Sequence, residues 1–205
     1  MLKTKYLFFL LLFFLSFWVF VSVDKSHAQE DTNMVPSPTP QVQNTVEYEL
    51  PYPGLLPDNP LYFLKVIRDR VVSFLISDPK KKAEFNLLQA DKRLNAGLYL
   101  FNSAKSGTVQ NPTKENEKKI NLAISTISKA ENYFFEAILE INKAKTQGID
   151  ITNLAGRLLT SSEKHQEIII SLEKRSKGNI KESLMGERKR TESFEKQVRE
   201  ILLGK

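Results

Sequence analysis

Three times along the chain an Asn or Asp stands directly before a proline: Asn59-Pro60, Asp78-Pro79 and Asn111-Pro112. A short polar side chain in that place accepts the unpaired N–H groups of a first helical turn. The proline beside it has a helical φ and no N–H to lose. Because the residue before a proline avoids helical backbone, each pair ends one element and opens the next. Apolar residues then recur at three and four, the helical period, and no stretch alternates long enough for a strand. The chain is therefore predicted to be all-α, with about five amphipathic helices.

Helix one is expected to start at an Asn59 cap with Pro60 in its first turn and to stop near Ser77. Leu61, Leu64, Ile67, Val71, Phe74 and Leu75 form its predicted buried face. Asp78-Pro79 opens helix two, with Phe85, Leu88, Leu94, Leu98 and Phe101 as its buried stripe and Ala90 and Ala104 allowing close approach. So tight a junction folds the two helices into a hairpin or corner. After a loop over Ser106–Asn111, helix three carries Ile120, Ile124, Ile127, Phe134, Ile138 and Ile141. Glu115 and Glu117 near its start and Lys143 and Lys145 near its end suit the helix dipole, and Gly148 is the expected stop. Helix four begins at Asp150 or Thr152 and carries Leu154, Leu158, His165, Ile168, Ile169 and Leu172. Helix five runs from Asn179 with Ile180, Leu184, Phe194, Val198 and Ile201 inward, and its GERKRTE stretch is expected to face water. Short connections between three such helices predict an antiparallel up-down bundle after the hairpin.

The N-terminus has a different character. Lys3 and Lys5 precede Tyr6–Val23, a run of about 18 residues without charge or proline, on the border between a signal-peptide core and a membrane span. Ser26 and Ala28 are spaced as a signal peptidase requires, so cleavage between Ala28 and Gln29 is expected; an uncleaved anchor is the alternative. Both outcomes leave the body extracytoplasmic, secreted or anchored to the membrane. Residues 29–45, with Pro36, Pro38 and Pro40 among Ser and Thr, read as an extended linker. Val46–Pro57 holds too many prolines for a helix and is expected to lie across the helices, anchored by Tyr48, Tyr52 and Leu55. The domain reading is thus a signal peptide or anchor over 1–28, the linker over 29–45, a helical domain over 46–106 and a three-helix region over 112–205.

Composition narrows the chemistry. With no cysteine there is no disulfide, thiolate metal site, cysteine nucleophile or lipid-modified cysteine, so packing alone must hold the fold. One of the two histidines lies at the processing site; the other, His165, lies near Glu163 and Glu167 and reads as a half-buried structural residue, not a metal ligand. Ser161-Ser162 beside it lacks a nucleophile-elbow context. Glu136 with Glu140, and Glu163 with Glu167, read as solvated pairs with nothing to shift their pKa values. No catalytic residue, metal site or cofactor is predicted.

Leu56-Pro57-Asp58-Asn59-Pro60-Leu61-Tyr62-Phe63-Leu64-Lys65, then Asp78-Pro79, Lys82-Ala83-Glu84 and Ala90-Asp91-Lys92-Arg93-Leu94, resemble the bacterial domain of unknown function 5667. The resemblance covers residues 48–104. It implies a helical domain behind a signal peptide or anchor, and it brings no catalytic residues with it.

The whole chain carries a formal charge of +6; without Lys3, Lys5, Lys25 and Asp24 there remain 27 basic against 23 acidic residues, a surplus of +4. The densest basic region is Lys80-Lys81-Lys82 with Arg68 and Arg70, either a solvated face or a site for an anionic envelope polymer or lipid headgroup. Arg188-Lys189-Arg190 is balanced by Glu187, Glu192 and Glu195 and has no stacking aromatics, which argues against nucleic acid. The leading expectation is a non-enzymatic envelope interaction or scaffold protein, its partner an unknown envelope protein or polymer and, if the leader is retained, the membrane. An anion-binding module is the alternative, and a cell-wall hydrolase is the third.

Overall fold

The computed structural model describes residues 46–105 and 114–203. The expected leader, the Ala28–Gln29 cleavage, the linker, the 106–111 loop and the Asn111-Pro112 cap lie outside the described residues. Five helices follow in order: α1 Tyr62–Leu75, α2 Pro79–Lys105, α3 Lys114–Thr146, α4 Thr152–Lys174 and α5 Gly178–Leu203. No strand occurs among the described residues.

The start and stop signals act at the atomic level. Asp78 caps α2: its Oδ1 accepts the Lys81 N–H at 2.8 Å and its carbonyl accepts Lys82 at 2.9 Å. Ile76 is extended, so α1 and α2 are separate helices, not one kinked helix. Asn59 behaves differently from the expectation. Its Oδ1 accepts the Leu61 N–H at 2.9 Å in a turn, and α1 begins only at Tyr62 with Leu61 as its uncapped N-cap. Asparagine bonded to the backbone two residues on makes a local turn that competes with capping, and Pro60 sits in that turn. At the other end of the bundle Gly148 takes φ 75° and the Ile149 N–H reaches back to the Ala144 carbonyl at 3.1 Å, a glycine stop closing α3.

Cross-links between helices fix their directions. Along α2, Lys80 meets Asp150, Lys82 meets Glu140, Asp91 meets His165, and Asn102 meets Arg175. So α2 runs against α3 and alongside α4. Glu163 with Arg199 and Glu173 with Arg188 set α5 against α4. Helices α2 to α5 therefore form one up-down four-helix bundle, and α2 packs with the three C-terminal helices.

Two apolar clusters fill it. One joins Leu87, Phe134, Ile141, Leu154, Leu158, Phe194 and Val198; the other joins Leu94, Phe101, Ile127, Ile169, Leu172 and Leu184. The α3 and α4 stripes are read correctly from their period, with Ile120 and Ile124 partly buried. In α2 the stripe is rotated: Leu87, Leu94, Leu100 and Phe101 are buried, whereas Leu88 is exposed and Phe85 and Leu98 are only partly covered. Small residues set this phase. Ala83, Ala90, Ala96 and Ala104 are buried, and at Gly97 an added Cβ would lie 2.6 Å from Ile127 Cγ1. In α5 the polar middle is not wholly in water, because Thr191 is buried and Arg188 reaches Glu173.

The segment before α1 does lie across the helices, held by Tyr48 as expected but not by Tyr52 or Leu55. Tyr48 Oη donates to Asp91 Oδ2 at 2.6 Å, the Val46 N–H donates to Glu167 Oε2 at 2.9 Å, and Asn95 Nδ2 donates to the Pro51 carbonyl at 3.0 Å. Leu50 packs on the second cluster, while Tyr52 is 80% exposed and Leu55 also faces out. Polar bonding, not aromatic size, decided which residues hold this strap.

Candidate functional site

Helix α1 contradicts the simplest reading of its sequence. Its apolar stripe points away from the protein: Leu61, Leu64, Ile67, Val71 and Leu75 are each more than half exposed, and Phe74 is 85% exposed. Phe63 joins them, and Asp69 is the buried residue of the helix. The reason lies in what the bundle presents. Its two core clusters are filled by the bundle helices and the strap, with no α1 side chain among them. What α2 offers instead is Arg93, itself buried, with its guanidinium 4.1 Å from the Tyr133 ring centroid. A buried cation without a counter-charge is strongly unfavourable, and Asp69 Oδ2 meets Arg93 Nη2 at 3.4 Å. Lys65 adds a bond from Nζ to the Pro53 carbonyl at 2.6 Å, and burial of this ammonium, followed by the nearby Arg93 charge, pushes its pKa down. Polar contacts thus orient α1, and its hydrophobic side is left outward.

Seven large apolar side chains, each at least half exposed, leave roughly 5–10 kcal/mol of transfer free energy to be gained by covering them. Single exposed apolar residues are ordinary, but a continuous helical stripe of them marks an interaction surface. No acidic side chain interrupts it, since Asp69 is the one carboxylate of α1 and is turned inward.

The basic residues singled out from sequence are divided by the fold. Arg68 is exposed and donates through Nη2 to Asp69 Oδ1 at 2.8 Å, and Arg70 is exposed on α1. At the start of α2, Lys80 Nζ donates to the Asp150 carbonyl at 2.6 Å and Lys82 lies 3.4 Å from Glu140, while Lys81 is exposed. The structure therefore brings Arg68 and Arg70 together with the apolar stripe, and ties Lys80 and Lys82 to the bundle.

A second feature was not read from the sequence. Between the two apolar clusters every bundle helix places a polar side chain inside: Asp91 from α2, Glu131 from α3, Ser161 and His165 from α4, and Thr191 from α5. His165 is fully buried rather than half-buried, and its partners are not its helix neighbours Glu163 and Glu167. Nδ1 lies 2.8 Å from Glu131 Oε1 and Nε2 lies 3.1 Å from Asp91 Oδ1. Ser161 Oγ donates to Asp91 Oδ1 at 2.6 Å, Tyr48 donates to the other oxygen, and the Phe134 ring meets the imidazole edge-on at 5.1 Å. Burial alone pushes the imidazolium pKa down. The charge of Glu131, the hydrogen bonds that the ring donates to both carboxylates and the charge of Asp91 outweigh it and raise the pKa to about 9. Burial, then the Asp91 charge, pushes the Tyr48 phenol up as well. With both ring nitrogens donating, His165 is a cation clamped between two carboxylates. Only Glu131 Oε2 is buried without a partner in this layer. Among the described residues no group of three or more His, Asp and Glu is placed to hold a metal ion. The expectation of solvated Glu136 and Glu140 also needs one correction: Glu140, covered by Lys82 and Lys143, is mostly buried.

A family model described as Domain of unknown function (DUF5667) matches residues 54–200. The chain belongs to this family. The match runs through α1 and nearly all of the bundle, well beyond the 48–104 segment that carries the motifs, so the DUF5667 unit is the α1-plus-bundle body and not a hairpin alone. No curated protein and no solved structure matches the chain. No helix among the described residues is long and apolar enough to cross a membrane.

Proposed function

We propose that this DUF5667 chain is a non-enzymatic, extracytoplasmic interaction module of the cell envelope, which presents α1 to a partner and uses the four-helix bundle as its rigid support. The outward apolar stripe of α1 carries this reading, because a face of that size is unfavourable in water unless something covers it in use. The buried His165 layer supports a structural role for the bundle, since both ring nitrogens of His165 and the Ser161 hydroxyl are spent on Asp91 and Glu131.

The test is an Ile67→Glu, Phe74→Glu double variant of the full chain. Both side chains are exposed, so helicity should be unchanged and the melting temperature should move by no more than a few degrees. Retention of the protein on intact envelopes should fall at least about tenfold, the loss expected when two apolar anchors are replaced by charge. Unchanged retention in a folded variant removes the proposal. The anion-site reading makes a different prediction: changing Lys80, Lys81 and Lys82 to Gln would abolish binding to anionic polymer, most clearly at low salt.

A further inference from the structure

We propose that what covers α1 is an anionic lipid surface, with the helix lying in the plane of the interface. This deepens the interaction-module reading and rests on it. Three observations point to a bilayer and not to a protein groove.

The first is the arrangement of charge on the helix. At 3.6 residues per turn, Arg70 borders one edge of the stripe and Arg68 the other, and the apolar side chains fill the arc of roughly 160° between them. An interfacial helix needs an apolar side that enters the acyl boundary and cations at its margins that reach the phosphates. Arginine can do both, laying its stem on the apolar surface while the guanidinium stays in the headgroup layer. The second is the absence of acid from the exposed side of α1, with Asp69 drawn inward to Arg93. A second copy seated on this face would set its own Arg68 and Arg70 against those of the first, and the one carboxylate of each α1, Asp69, is already shared between Arg68 and Arg93. A phosphate-rich surface supplies that counter-charge. The third is the chain upstream. Sequence places the uncharged run Tyr6–Val23 only 22 residues before Val46. Retained as the membrane anchor that is the alternative to cleavage, that run brings the body to a bilayer at raised effective concentration, so a modest face suffices.

The experiment uses the full chain reconstituted into vesicles. Its single tryptophan, Trp18, is changed to Phe, and Phe74→Trp is introduced as a reporter. A matching chain carries Glu182→Trp on the exposed side of α5. In phosphatidylcholine vesicles containing phosphatidylglycerol, lipids brominated on the acyl chain should quench the α1 reporter several-fold more than the α5 reporter, with a blue shift of its emission. Phosphatidylcholine alone, or Arg68→Gln with Arg70→Gln, should cut that quenching by more than half. An α1 reporter quenched no more than the α5 reporter overturns the lipid assignment, and so does emission that changes with protein dilution, the mark of a second copy. If the reporter stays unquenched while the Ile67→Glu, Phe74→Glu chain still loses envelope retention, the lipid inference fails and the interaction reading stands on a protein partner. If retention is also unaffected, both fail.

Discussion

His165 shows what a single residue contributes when its surroundings are assembled from four helices. Removing it leaves Asp91 and Glu131 facing each other in a dry layer, and breaking a buried charge set in that way costs about 3–5 kcal/mol. His165→Gln is therefore expected to lower the melting temperature by well over 5 °C in a calorimetric scan. The same residue sets a pH dependence whose sign follows from its raised pKa. The folded state holds the proton up to about 9, whereas the unfolded chain releases it near 6.5. The contribution, on the order of 3 kcal/mol, is complete below about pH 6.5 and disappears as pH rises through about 9. Tyr48, the other titratable group on Asp91, is pushed upward and stays neutral across that window. Wild-type stability should thus fall between pH 6.5 and 9, and the slope should be much reduced in His165→Gln; a wild-type profile parallel to that of the variant would show that His165 does not carry the proton.

Between elements, the closest approach is decided by small residues. Gly97 lies within helix α2, where glycine costs about 1 kcal/mol relative to alanine. An alanine there would place its Cβ 2.6 Å from Ile127 Cγ1 and 3.1 Å from the Ala123 carbonyl oxygen. Ile127 is fully buried and β-branched, so it has no rotamer to retreat to, and the backbone oxygen cannot yield without moving α3. Overpacking of this kind costs about 1–3 kcal/mol, which meets or exceeds the propensity gain. Gly97→Ala should gain nothing and lose up to about 2 kcal/mol in urea titration, against the usual stabilising effect of this change in a helix. By contrast, substituting the open Gly186 of α5, where a Cβ meets nothing within 4 Å, should stabilise.

At the scale of the whole molecule, the bundle and α1 differ in how they are held. Helices α2 to α5 share two apolar clusters, with the His165 layer between them. Each cluster draws on all four helices, so they should unfold together. Helix α1 is joined by the Asp69–Arg93 pair, the Lys65 bond and the partly buried Tyr62 and Val66 side. Local stability follows the number of buried apolar contacts. In hydrogen exchange the α1 amides should open at lower free energy than those of α2 to α4, and addition of phosphatidylglycerol vesicles should slow them selectively. Equal protection in both regions without lipid would mean that α1 is held by more than these contacts.

The start and stop chemistry was local, and so it was legible. Asp78-Pro79, Gly148 and the three-four spacing of α3 and α4 act within one or two turns of their own residues, and they determined the number, bounds and inward faces of those helices. The 54–200 family match agrees with the motifs that the chain displays around α1 and α2. What the sequence could not state was how the faces pair. The exposed stripe of α1 has the same period as the buried stripes of α3 and α4. Only assembly showed that the bundle closes on itself and leaves Arg93 as the group α1 must satisfy. The layer of Asp91, Glu131, Ser161 and His165 joins residues up to 74 positions apart. The one early sign of it was a histidine in an otherwise apolar stripe. Periodicity names a face of a helix, but what that face meets depends on the surfaces the other helices have left unfilled, and that is a property of the tertiary structure alone.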